Sequence, residues 1–237
     1  MHRVVLFTSL IGVMLVAGGC GGLVDRNGQP ASVRDYDSVI IEDVRVAPSI
    51  PMKHMAELVK GFLQVELLTS TKWLRGDEFD VEGFAQYVET YATSAGTLQG
   101  KPVKPAMTRE QYAKQYAEKR KELEPHLRKP KGTRPLRLRV EITKLDFPEG
   151  VGQVVLGTKA EARAAVHVYG GSGLTPIGST EVKVIDGLPG IPLLPIAIVT
   201  RAASNAIFDQ YTRKHVMKLA LELSQEIVEE LDEAKTR

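Results

Sequence analysis

The sequence predicts an α+β fold, an antiparallel sheet packed on one face by two helices, and three observations carry that expectation. Leu136, Leu138, Val140 and Ile142 alternate with Arg137, Arg139 and Glu141, and Ala160, Ala162, Ala164, Val166 and Val168 alternate likewise. Such period-two runs belong to half-buried strands with one wet face. Residues 52–68 and about 195–234 instead repeat their apolar residues mostly three to five apart, as helices do. Residues from about 70 to 132 differ in composition and read as a helical insertion. The order is strand, helix, insertion, three strands, helix.

At the start, Met1-His2-Arg3 is short and positive, Val4 to Ala17 is apolar apart from Thr8 and Ser9, and small residues follow. That is the order of a secretory signal, here residues 1–19. The apolar run falls short of the roughly 20 residues that cross a bilayer as a helix, and no later segment reaches that length. Cys20 is the only cysteine in 237 residues, so an exported chain has no internal disulfide for it. Val16-Ala17-Gly18-Gly19-Cys20 resembles the lipobox of bacterial lipoproteins, with alanine where leucine is commoner. The resemblance implies cleavage between Gly19 and Cys20, acylation of Cys20 with palmitate-type chains, and anchorage in the cell envelope. Acyl burial stabilises such an anchor by about 0.8 kcal/mol per methylene. In a host with two membranes, Gly21 and Gly22 are not the aspartate-type retention signal, which implies the outer membrane, facing the periplasm.

Gly21 to Ser32 is small and polar without apolar periodicity. Residues 20–34 therefore read as the lipidated cysteine and a flexible tether to one domain over 35–237. Tyr36 to Pro48 is rich in β-branched residues and reads as a strand whose alternation slips between Ile41 and Val44, the mark of a bulge. The helix from Met52 to Leu68 places Met55, Leu58, Val59, Phe62 and Val65 on one face. After the two alternating strands, Gly170 to Pro176 is a turn, and Gly178 to Asp186 gives a third strand through Val182 and Val184. The last helix carries Ile207, Tyr211, Val216, Leu219, Leu223, Ile227 and Leu231.

In the insertion, an aromatic helix is expected after Asp80, ending near Gly96. Thr108 to Gln111 has capping-box spacing and opens a charged helix expected to stop at Pro125. Tyr87 and Tyr91, and Tyr112 and Tyr116, are spaced i, i+4 in the two helices and suggest that these pack together, as a small aromatic core rather than a ligand-stacking surface. Residues 101–144 hold fourteen Lys and Arg against five Asp and Glu in a chain whose net charge is only +2. Lys119, Arg120, Lys121, Arg128, Lys129 and Lys131 are the densest part. They form either a solvated basic face or a surface for anionic lipid head groups, lipopolysaccharide phosphates or cell-wall polymers. Nucleic acid is not an expected partner outside the cytoplasm.

No catalytic constellation stands out in the sequence. Gly170-Gly171-Ser172-Gly173-Leu174 lacks the last glycine of a nucleophile elbow, and the stretch Gly96 to Lys101 is one residue short of a phosphate loop. His54, His126, His167 and His215 show no ligand spacing, so no metal or cofactor is expected. His167 falls on the polar face of its strand. Asp77, Glu78, Asp80 and Glu82 read as a solvated helix start, where the dipole favours negative charge. Gly187 to Val199 is apolar and interrupted by three prolines, and reads as a cover over the core or a docking surface.

The element order behind a lipid anchor is similar to that of small cell-envelope lipoproteins of uncharacterised function, and the resemblance carries no functional residues across. The expected function is that of a non-enzymatic, lipid-anchored envelope protein that binds a partner or supports envelope assembly. The alternatives are an envelope hydrolase whose site gathers distant residues, and a lipid- or ligand-binding protein that shelters an acyl tail beneath residues 187–199.

Overall fold

The computed structural model describes residues 22–98, 101–103, 105–146, 159–187 and 201–237. The expected signal, Gly19, Cys20 and residues 188–199 of the apolar segment lie outside the described residues. In chain order the elements are β1 (Ser38–Val46), α1 (His54–Thr69), α2 (Val81–Thr93), β2 (Gly96–Leu98), β3 (Lys101–Val103), α3 (Arg109–Leu127), β4 (Pro135–Asp146), β5 (Lys159–Gly170), β6 (Pro176–Gly187) and α4 (Arg201–Thr236). Strands β1, β4, β5 and β6 form one sheet in the order β1-β4-β5-β6, and β2 and β3 pair as a small separate hairpin.

The fold is α+β as expected, but the sheet is mixed. β4, β5 and β6 run antiparallel, whereas β1 lies parallel to β4, with Ser38 beside Pro135 and Val46 beside Ile142. This corrects the all-antiparallel expectation, and α1 is the cause. A strand that leads into a helix packed on its own sheet returns through a crossover, which sets the next strand parallel. Alternation along β4 reports that one face is wet and says nothing about the direction of a neighbour. The slip in β1 is a real register shift, between Ile41 and Asp43.

α1 and α4 cover one face of the sheet. Leu136, Leu138 and Ile142 of β4 are fully buried against Leu58, Val59, Leu219 and Leu223 in one continuous core. The alanines of β5, at 160, 162 and 164, are fully buried as well, and their small side chains let α4 lie close to the strand. α1 buries more than its predicted face, because Leu63, Leu67 and Leu68 are also enclosed. The insertion explains this: α2 and α3 fold over the outer side of α1. Phe84 meets Phe62 edge-on, with ring centroids 5.3 Å apart. Its ring occupies the space beside Gly61, where an added Cβ would stand 2.0 Å from it.

The insertion helices start as their sequences direct. Asp80 caps α2 by accepting the Gly83 N–H at 2.8 Å. Thr108 and Gln111 close a reciprocal capping box on α3. That helix runs through Pro125 to Leu127, which corrects the expected stop. Proline there forgoes only the bond to the carbonyl four residues back, a loss confined to the last turn. The tyrosines divide their work. Tyr112 and Tyr116 stack 6.1 Å apart and reach α2, with their hydroxyls donating to the Ala85 carbonyl and the Glu82 carboxylate. Tyr87 and Tyr91 turn away from α3 to meet His54 of α1, and Tyr91 also lies under Arg213 of α4.

Residues 22–33 are not a slack tether: they pack onto the sheet, so the folded body includes residues that their composition assigned to the tether. Leu23, Ala31 and Val33 are buried. The Val24 N–H donates to the Ser179 carbonyl at 3.0 Å, and the Ser179 N–H returns the bond at 2.8 Å. A turn at Gly28, whose φ is +75°, is tied by the Asp25 carboxylate, which accepts the Asn27 and Gln29 N–H groups. The segment therefore covers part of the open edge of β6, a common need of edge strands. Three apolar residues scattered through a polar loop have no period, so composition hides them.

Asp37, just before β1, joins two distant parts of the chain. Its carboxylate accepts the Arg134 N–H at 2.9 Å, the Thr133 N–H at 3.1 Å and the Thr133 hydroxyl at 3.0 Å. The Arg134 N–H, with those of Thr133, holds the carboxyl down from 3.8 to about 2. A carboxyl depressed by folding stabilises the fold above its unfolded value, and that contribution is lost as pH falls through the folded one. Stability is therefore expected to drop between about pH 4 and 2, and Asp37→Asn to flatten that limb. Denaturant unfolding across this range measures it, and identical slopes in both proteins would remove Asp37 from the account.

Candidate functional site

With both core helices on one side, the other face of the sheet carries the polar positions of the alternating strands. β4 presents Arg137, Arg139 and Glu141, β5 presents Glu161, Arg163, His167 and Tyr169, and β6 presents Glu181, Lys183 and Ile185. The bulge in β1 brings Glu42 to the two β4 arginines. Arg139 forks onto Glu42 through Nε and Nη2, both at 2.9 Å, and Arg137 Nη1 adds a third bond at 3.2 Å. Both guanidiniums lie over the Tyr169 ring, 4.8 Å from its centroid for Arg139 and 5.7 Å for Arg137. Tyr169 is buried beneath them although it belongs to the open face. Arg45 pairs across the strands with Glu141 at 2.7 Å. Glu42, Arg45, Arg139, Glu141 and Tyr169, with His167, line a depression of about 330 Å³.

A second cluster sits further along the strands. Glu161 meets Arg163, Lys144 at 3.4 Å and Lys183 at 3.9 Å, and Arg163 reaches Glu181 at 3.4 Å. The central carboxylate of each cluster is shifted by its arginine partner. The hydrogen bond from Arg139 holds Glu42 below the usual carboxylate range, and the hydrogen bond from Arg163 does the same for Glu161. The carboxylates beside His167, Glu42 and Glu141, are both engaged by guanidiniums. Planar guanidiniums on an aromatic ring suit carboxylate or phosphate groups presented by a partner. Cations and carboxylates alternate, so the face reads as complementary to a mixed-charge protein surface.

The residues expected from sequence fall as follows. Lys119 pairs with Glu122 of its own helix at 2.8 Å, and Arg120 with Glu82 of α2 at 2.9 Å, while Lys121 is exposed. Arg128 meets Glu124 at 3.5 Å, Lys129 donates to the Ser70 carbonyl, and Lys131 is exposed. The six are thus two groups, one on the outer side of α3 and one in the loop where the chain enters the sheet. Of the acidic group, Asp80 is spent as a cap and Glu82 on Tyr116 and Arg120. Of the stretch Gly96 to Lys101, Gly96 to Leu98 form β2 and Lys101 opens β3, which pairs with it, while residues 99 and 100 lie outside the described residues. His54, His126, His167 and His215 lie on α1, α3, β5 and α4. Among the described residues, no group of three or more His, Cys, Asp and Glu side chains could hold a metal ion.

Sequence reasoning missed one buried polar cluster. Asp232 of α4 accepts the Trp73 indole N–H at 2.6 Å and the Ser70 hydroxyl at 3.0 Å. Lys235 Nζ stands 3.9 Å from the centroid of the Trp73 ring and donates to the Tyr36 carbonyl. The chain's only tryptophan was the one available signal, since a buried indole N–H needs an acceptor.

No protein-family model matches the chain, and no curated protein sequence matches it. No helix among the described residues is long and apolar enough to cross a membrane.

Proposed function

We propose that this is a lipid-anchored cell-envelope protein that acts without catalysis, by binding a partner protein or supporting envelope assembly. In a host with two membranes, its place is the outer membrane, facing the periplasm. One observation carries the reading furthest. Leu23 is buried to 1% exposure and Val24 is hydrogen-bonded into the sheet edge, only three and four residues beyond Cys20. A hydrogen-bonded, buried segment so close to Cys20 would leave only a short link between an acylated cysteine and the folded body. The lipobox-like residues 16–20 supply the anchor, and the open face of the sheet supplies the surface for a partner.

Cys20→Ser is expected to abolish lipid labelling and shift the protein from the membrane to the soluble fraction. The apolar run is too short to hold it durably without acyl chains. A wild-type protein that stays in membranes without any lipid label would sink the reading. Crosslinkers placed at Lys183 and Arg45 in cells then test the partner surface, with probes on the exposed side of α3 as the comparison.

A further inference from the structure

The docked N-terminus fixes how an anchored body must stand. Cys20 and Gly22 are two residues apart, so their Cα atoms are separated by at most about 7 Å. Gly22 lies against the guanidinium of Arg237, just after the last residue of α4. The anchor is therefore held near one end of the sheet, where α1, α3 and α4 finish, β1 and β4 begin, and β5 turns into β6. Ser70 to Asp232, Lys129 to Ser70, and Arg75 to the Leu127 carbonyl are the bonds that gather the three helix ends there.

That end has the chemistry of a lipid contact. The β5–β6 turn carries Leu174 at 89% exposure, the most exposed large apolar side chain among the described residues. At the same end of the sheet Arg26, Arg34, Lys131 and Arg134 are exposed. Of the acids at this end, Asp25 and Asp37 are engaged by backbone N–H groups and the exposed Glu233 pairs with Arg237, which leaves Asp35 exposed beside the four cations. Basic side chains beside an apolar tip suit an anionic phospholipid surface, which attracts each cation that approaches within a Debye length.

Resting on the anchored reading above, we infer that the mature protein stands with this end on the bilayer. Leu174 enters the head-group layer, the four cations contact anionic phospholipid, and the open face of the sheet is displayed side-on to the envelope space. The anchor and the Leu174 turn then make two separate contacts, which restricts tilting about the anchor.

The test uses the full acylated chain, whose single cysteine is consumed by the lipid, so one new cysteine can be labelled uniquely. Leu174→Cys, Ile185→Cys and Ser49→Cys are each labelled with an environment-sensitive fluorophore and reconstituted into phosphatidylethanolamine–phosphatidylglycerol vesicles carrying a lipid-borne quencher. Ser49 follows β1 at the opposite end, and Ile185 lies high on β6. The label at 174 is expected to be blue-shifted and quenched, with those at 49 and 185 remaining in water. Adding Arg26→Glu and Arg134→Glu should release the label at 174, since each cation lost weakens the contact about fivefold. A label at 174 that reports water while the protein is vesicle-bound overturns the orientation, as does quenching at 185 instead. Quenching at 174 that survives the two charge reversals overturns the electrostatic contact. Mass spectrometry of the N-terminal peptide separates these results from failure of the anchor: a chain without acyl mass on Cys20, found in the soluble fraction, overturns the anchored reading and this orientation with it.

Discussion

Leu138→Asp is expected to abolish cooperative folding. Leu138 is fully buried at the centre of β4, with Val140 and Leu136 beside it and both core helices above. A carboxylate there finds no partner, and an unpaired buried polar group costs several kcal/mol, with the lost leucine packing added to it. Domains of this kind are stable by about 5–15 kcal/mol, so this one change removes a large share. Circular dichroism and denaturant titration should show an unfolded or molten chain. His167→Ser, on the other face of the same sheet, is expected to stay within about 0.5 kcal/mol of wild type. Arg137→Ser, on that same open face, is expected to cost more than His167→Ser, because Arg137 bonds Glu42 and the Gly173 carbonyl and lies over Tyr169. Equal damage from Leu138→Asp and His167→Ser would invert the assigned faces of the sheet.

That contrast also marks how far the sequence was legible. Whatever repeats with a period was readable: the inward residues of β4 and β5, the i, i+4 face of α1, that of α4 from Val216 to Leu231 (the side chains of Ile207 and Tyr211 lie outside the described residues), and the two capping signals of the insertion. Each is set by neighbours within a few residues. What the sequence hid depends on partners far apart in the chain. Glu42 and Arg139 are 97 residues apart, and their bond exists only because β1 lies beside β4. The parallel direction of β1 follows from where α1 packs, which the alternation of a strand does not encode. The docking of residues 22–33 rests on three apolar side chains without a period, and on hydrogen bonds to Ser179, more than 150 positions away. The charge excess over 101–144 was correctly counted, yet ion pairs to Glu82, Glu122 and Glu124 spend half of its densest part within the fold.

Asp232→Ala is the second large effect expected. Its carboxylate is the acceptor for the indole N–H of Trp73, which is 2% exposed, and for the Ser70 hydroxyl. Lys129 and Lys235 lie beside it. Burial pushes both ammonium groups down, and Asp232 opposes that shift in each. Alanine leaves a buried indole donor unsatisfied, at about 1–3 kcal/mol, and removes the counter-charge of two partly desolvated cations. The expected loss is about 3 kcal/mol, read from denaturant unfolding at neutral pH. Asp232→Asn separates the two causes, because its side-chain oxygen still accepts the indole N–H but carries no charge. It should recover about half of the loss. The cluster ties the end of α4 to the chain leaving α1 and, through Tyr36, to the start of β1, so the alanine variant should also speed proteolysis after Arg34 and Lys72. A variant as stable as wild type, with unchanged cleavage at both sites, would show that the helix ends are held by apolar packing instead.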